Sequence, residues 1–172
     1  MILQLQFYGR PILRKSCKEI DVSDCGIYHF INDMFDTMMQ SFALGLAAPQ
    51  VGKPIRIFII DTYTFIFDKE ENRRKRRVFI NPDIVKTYGK TWIIKEGCLS
   101  FPDFIVKIER YESILIRYYN ESLEKCEEIY QGLSARVIQH EFDHIEGKLI
   151  IDYLSSFKKE RLNKKYNAFR KI

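Results

Sequence analysis

Apolar residues recur at Ile27, Phe30, Ile31, Met34, Phe35, Met38, Met39 and Phe42. Spacings of three and four keep one face of a 3.6-residue helix apolar, so the pattern predicts an amphipathic helix over residues 23–42. Ser23 or Asp24 can cap its start, because their side-chain oxygens accept amide hydrogens left unpaired in the first turn. His29 falls off the stripe and is expected in solvent. From Gly45 the period shortens. The runs "IRIFIID" (55–61), "RVFIN" (77–81), "TWIIKE" (91–96) and "SILIRYYN" (113–120) predict strands of mixed, largely antiparallel sheets. The charge run "DKEENRRKRR" between the first two reads as a solvated hairpin loop.

Helical spacing returns in "LSARVIQHEFDHIEG", with Leu133, Val137 and a histidine pair down one side and Gly147 placed as a C-terminal stop. A last helix is predicted from about Ser155 to Phe169, where Leu162, Tyr166 and Phe169 are spaced to pack on the body. With no repeats and no low-complexity linker, these elements should share one core. The expected class is α+β, a single domain over residues 1–172 with sheets around the central histidine-bearing helix, flanked by N-terminal and C-terminal helices.

Composition agrees with a globular chain: 46% of the 172 residues are hydrophobic and 30% are charged. The N-terminus lacks the unbroken apolar run of a secretory leader. No apolar run approaches the ~20 residues that span a bilayer, so no membrane partner is expected. Cys17, Cys25, Cys98 and Cys126 are scattered without a CxxC pair, which fits a reducing cytoplasm. The net charge of +5 is concentrated in residues 157–172, leaving the body close to neutral.

The histidine pair carries the chemistry. Residues four apart on a helix are offset by about 40° around the axis and about 6 Å along it, so His140 and His144 can reach one ion. Glu141 lies beside them and can accept the proton of a water at the position a catalytic metal leaves open. The pattern alone leaves the third ligand undecided. Ile150 stands where an extended metalloprotease motif has a third histidine, and Glu160 is the candidate for a protease that takes its ligand from a following helix. Cys98, in "KEGCLSFP", offers a thiolate, and Gly97 permits the close backbone approach of a ligand turn.

Taken together, "GLAAPQVG" (45–52), "EGCLS" (96–100) and "QHEFDH" (139–144) resemble the three signature motifs of the bacterial peptide deformylases, in order and spacing over nearly the whole chain. The resemblance implies that Cys98, His140 and His144 hold one divalent metal, with Fe(II) expected and Zn, Ni or Co able to replace it. It implies Glu141 as general base and acid, with the Gln50 amide and the Leu99 backbone N–H facing the formyl oxygen. Backbone around Gly45 would pair with an extended substrate beside Gly97, and Leu44, Ile94, Leu133 and Val137 match the pocket for the methionine side chain. Two positions depart from the pattern: Ala43 replaces a glycine, and Ile105 stands where some members place an arginine.

The implied partners are formylmethionyl nascent polypeptides, with the basic C-terminal helix suited to transient contact with ribosomal RNA and no specific DNA expected. Two rivals remain open in the sequence. One is a zinc peptidase using Glu160. The other is a ribosome-associated binding domain whose metal is structural and closed by Cys17, Cys25 or Cys126.

Overall fold

Helix α1, Ile27–Gln40, buries Ile27, Phe30, Ile31, Met34, Phe35 and Met38, the stripe read from the sequence. It ends sooner than expected. Ser41 closes it, and Phe42 enters left-handed backbone at φ 52°. The chain thus leaves the helical path before the stripe is complete, so Met39 is 54% and Phe42 91% exposed rather than buried. This computed structural model describes residues 1–21, 26–62 and 76–169, and the expected caps Ser23 and Asp24 lie outside them, as does most of the 68–77 charge run. His29 is exposed, as its position off the stripe predicts.

Strands β1 (Gly45–Ala47), β2 (Ile57–Asp61), β3 (Arg76–Cys98), β4 (Phe101–Tyr119) and β5 (Lys125–Gln131) form one sheet in that order, each neighbouring pair antiparallel. A single antiparallel sheet therefore replaces the expected mixed sheets. The runs at 77–81 and 91–96 are the two ends of one strand, and the run at 113–120 overlaps the second half of another. Pro82, Asp83 and Gly89 interrupt the alternation in sequence, but register shifts against β4 fall at Ile80/Asp83, Ile84/Lys86 and Tyr88/Thr91. Bulges accommodate a proline's missing donor and a glycine's unusual backbone, and Gly89 has φ 84°.

Helix α2, Gly132–Ile145, packs against β1, β2, β4 and β5. Its Ala135, Val137, Ile138 and Ile145 join Phe58, Phe79, Ile116 and Tyr118 in one buried cluster. Truncating a core residue of this kind, such as Ile138, to Ala costs about 2–5 kcal/mol, so the helix is held firmly against the sheet. Gly147 ends it at φ 73°, where a Cβ would also lie 2.7 Å from the Arg14 carbonyl oxygen. Helix α3 spans Ser156–Phe169. Of its three expected anchors, Leu162 is buried beside Val106, Ile108 and Ile151; the side chains of Tyr166 and Phe169 lie outside the description.

Candidate active site

The last residue of β3, the third turn of α2 and the helical turn after β1 meet at one point. Ligand atoms of Cys98, His140 and His144 all lie within 4.8 Å of one another. Cys98 Sγ is 3.2 Å from His144 Nε2. The sheet brings Cys98 to the helix across more than forty residues of chain, because the β3–β4 hairpin turns back at Leu99 and Ser100 directly over α2. His144 is 1% exposed, and its Nδ1 is buried without a hydrogen-bond partner among the described residues.

His140 is oriented from behind. Its Nδ1 donates to Glu96 Oε2 at 3.0 Å, which fixes the tautomer and leaves Nε2 for a ligand. Glu96 in turn accepts from Arg110 Nε at 2.8 Å and Nη2 at 3.0 Å, and from Arg136. Arg110 extends the network to Asp143 at 2.9 Å, which also accepts from the Tyr153 hydroxyl at 2.7 Å. Burial by itself raises the Glu96 carboxyl, but hydrogen bonds from His140 and Arg110 outweigh it and bring the pKa down to about 2. Burial opposes charge on His140 too, yet Cys98 and Glu96 raise its pKa well above the ordinary value. Burial and the charges of His140 and Arg110 push His144 the other way, toward a neutral ring. Positive charge is thus favoured between Cys98 and Glu96. A thiol and two imidazoles, one oriented by a carboxylate, are a donor set that fits a borderline divalent ion.

Glu141 is 4% exposed, and its Oε2 is buried without a partner among the described residues. Burial is the main cause that lifts its carboxyl to about 7. Gly45 makes room for it. A Cβ on Gly45 would stand 2.5 Å from Glu141 Oε1. Opposite, Gln50 is 2% exposed and accepts the Ala47 N–H at 2.8 Å through Oε1. Its amide nitrogen therefore points the other way, donating toward Cys98 Sγ at 3.5 Å and Ser100 Oγ at 3.4 Å.

These groups open into a cavity of about 670 Å³. It is lined by Leu44, Gly45, Ile94, Gly97, Leu133 and Val137, every substrate-contact position expected from the sequence, together with Gln50, Cys98, Leu99, His140 and Glu141. Two unpartnered strand edges border it. β1 pairs with β2 alone, and β3 pairs with β2 only through residues 76–80, so the edge at Ile94–Gly97 that faces away from β4 has no strand beside it among the described residues.

Several functional neighbours escaped the sequence reading. Glu96 and Arg110 had a signal there: they share strand parity with the half-buried Ile94 and the buried Ile108, and charge on an inward-facing position marks a paired ion. The rim residues Phe7, Phe42 and Phe104 carried none. Glu160 does not join the site; its side chain is 67% exposed and pairs with Lys164 at 2.9 Å. The peptidase that needed it has no ligand there. Cys17 is buried in the core around Phe58 and Cys126 lies on β5, so neither joins the three-residue cluster among the described residues. Cys25 lies outside the description.

A helix bearing two histidines and a buried carboxylate, facing a thiol from a strand end, is the arrangement found in the class of metal-dependent hydrolases. The sequence model of the polypeptide deformylase family matches residues 2–160, and the chain belongs to that family. It is 47% identical over 172 residues to a peptide deformylase of Christiangramia forsetii, an alignment that covers 96% of this chain and 88% of the relative. Among solved structures, peptide deformylase from Ehrlichia chaffeensis in complex with actinonin superimposes with a TM-score of 0.88 at 31% identity, covering 99% of both chains. One from Legionella pneumophila gives 0.85 at 34% identity, covering 99% of this chain and 96% of that one.

Proposed function

We infer that this chain removes the N-formyl group from the formylmethionine that begins newly made polypeptides, adding water across the formamide to release formate and a free α-amine. The observation that carries this reading is the convergence of Cys98, His140 and His144 within 4.8 Å, in a family whose members are deformylases. The ion expected there is a single divalent metal, Fe(II) by family resemblance with Zn, Ni or Co as substitutes. When bound, it supplies Lewis acidity, which brings the pKa of water from ~15.7 toward ~7.

The remaining steps belong to side chains. Glu141, with a carboxyl lifted to about 7, is suited to take the attacking water's proton and return it to the departing amine near neutral pH. The Gln50 amide, held by the Ala47 N–H with its nitrogen toward Cys98, and the Leu99 N–H are suited to donate to the formyl oxygen as it gains charge. Each such donor contributes about 3 kcal/mol to the transition state. The apolar walls of Leu44, Ile94, Leu133 and Val137 suit an unbranched thioether side chain. An extended peptide can add as a strand between Gly45 and the open β3 edge.

Formate release from a formyl-methionyl peptide, followed with anaerobically purified wild type and Glu141→Ala, tests the reading. Wild type should turn over and the variant should keep its metal without activity. Silence from metal-loaded wild type would overturn the function, and full activity in the variant would overturn the role of Glu141.

A cytoplasmic setting follows from the nascent-chain substrate, and no helix among the described residues is long and apolar enough to cross a membrane. The whole chain is taken as one catalytic domain. The charge of α3 supports a transient ribosome contact and no specific DNA recognition. Deleting residues 159–172 should weaken salt-sensitive ribosome binding, and unchanged binding would remove that partner.

A further inference from the structure

Beside the substrate cleft lies a second cavity of about 940 Å³, bounded by the β3–β4 hairpin and by α3. It shares Lys95, Phe104 and Ile105 with the cleft, so the two form one continuous surface. The way across is open: Gly97 pairs with Ile105, and a Cβ on Gly97 would meet nothing within 4 Å among the described residues.

The second cavity is lined by Lys95, Lys107, Lys158 and Arg161, all exposed, and by no acidic side chain among the described residues. Neighbouring cations are neutralised, Lys159 by Asp152 and Lys164 by Glu160. The four in the groove enter no ion pair among the described residues. Lys95 and Lys107 stand directly opposite each other across the strands, an arrangement of like charges that destabilises a sheet. Lys158 and Arg161 repeat the conflict three residues apart on α3. Among the described residues nothing offsets this concentration of charge, whereas an anionic ligand in the groove would relieve it.

We propose that the groove binds acidic side chains of the substrate polypeptide downstream of the residues held in the cleft, so that the enzyme favours formylated chains with Asp or Glu a few positions beyond the methionine. This rests on the deformylase reading. Continuity favours a peptide over RNA as the occupant: a polypeptide leaving the cleft past Ile105 must enter the groove, and Phe104, Ile105 and Leu154 give its aliphatic parts an apolar bed among the cations.

The test compares kcat/KM for formyl-Met-Ala-Ser peptides extended by a glycine and then by three Asp, three Asn or three Lys. At low salt the Asp peptide should exceed the Asn peptide roughly fivefold, the upper range for exposed ion pairs, and the Lys peptide should fall below both. The preference should shrink at about 0.5 M salt, where the screening length is only a few ångströms. In the triple variant Lys107→Gln/Lys158→Gln/Arg161→Gln the Asp preference should vanish, with turnover of unextended formyl-Met-Ala-Ser kept at the wild-type level. Equal wild-type rates for Asp and Asn peptides would overturn the proposal, as would a preference that survives in the triple variant. Flat peptide selectivity with salt-sensitive binding of an RNA oligonucleotide, lost in the triple variant, would reassign the groove to nucleic acid. If even formyl-Met-Ala-Ser released no formate, the deformylase reading itself would fall, and the groove's role with it.

Discussion

Glu96 Oε2 lies 3.0 Å from His140 Nδ1 while the same carboxylate receives Arg110 and Arg136. One buried acid therefore orients His140, the proposed metal ligand, and pairs with two buried cations. Substituting Glu96→Gln should loosen metal binding by about 10–100-fold, the usual cost of removing a group that orients a ligating histidine. It should also destabilise the fold by about 3–5 kcal/mol, because Arg136 would lose its charge partner and Arg110 one of its two, Asp143 remaining. Metal competition and urea unfolding of the metal-loaded protein measure the two separately. Wild-type metal affinity in the variant would show that His140 is held by α2 alone.

Gly45→Ala should act on catalysis more than on folding. The new Cβ would stand 2.5 Å from Glu141 Oε1, so the carboxylate must move. A displacement of about 1 Å in a reacting group can lower the rate by ~10². We expect a loss of that order in kcat, with metal content by atomic absorption unchanged. Full activity would mean that Glu141 has room the packing does not reveal.

Cys17 gives the stability a dependence on alkaline pH. Burial is the main cause that pushes its thiol up to about 11 from the ordinary 9.0, with Glu146 adding to it and Arg56 opposing. The folded state thus keeps the proton after the unfolded chain has released it. Stabilisation from the neutral thiol is complete below pH 9 and declines as pH rises from about 9 toward about 11. The gap in urea midpoint between wild type and Cys17→Ala should therefore narrow from pH 8 to pH 10. A constant gap would show that the thiol titrates normally.

Chelation should abolish formate release and lower the melting temperature together, because an ion bound only by the native state stabilises it in proportion to the logarithm of its concentration. Re-addition of Fe(II) without oxygen should restore both. Cys98→Ala should behave like the chelated protein and fail to recover at the same metal concentration. Recovery in that variant would remove Cys98 from the ligand set.

Legibility in the sequence followed the range of the interactions. His140, Glu141 and His144 could be read from one helical turn, and the α1 stripe from its period. Cys98 could not be assigned from spacing, since the hairpin that delivers it is a tertiary event; the co-occurring motifs supplied it. β3 read as two strands because bulges at Asp83 and Gly89 are stabilised by pairing with β4, which leaves no local trace. The ion network behind His140 was missed for a related reason. Glu96, Arg110, Arg136 and Asp143 come from two strands and a helix; strand parity marks the first two as inward-facing, but nothing local in the sequence pairs any of them with His140.

The gap between β1 and the open edge of β3 sets a deadline as well as a shape. A chain can fill it only while its first residues are extended and unclaimed by other structure. Once an N-terminal segment docks into its own sheet or helix, the formyl group is lost to this cleft. Deformylation of any given protein is then a race against the folding of its first element, and late or slow N-terminal docking should leave the widest window.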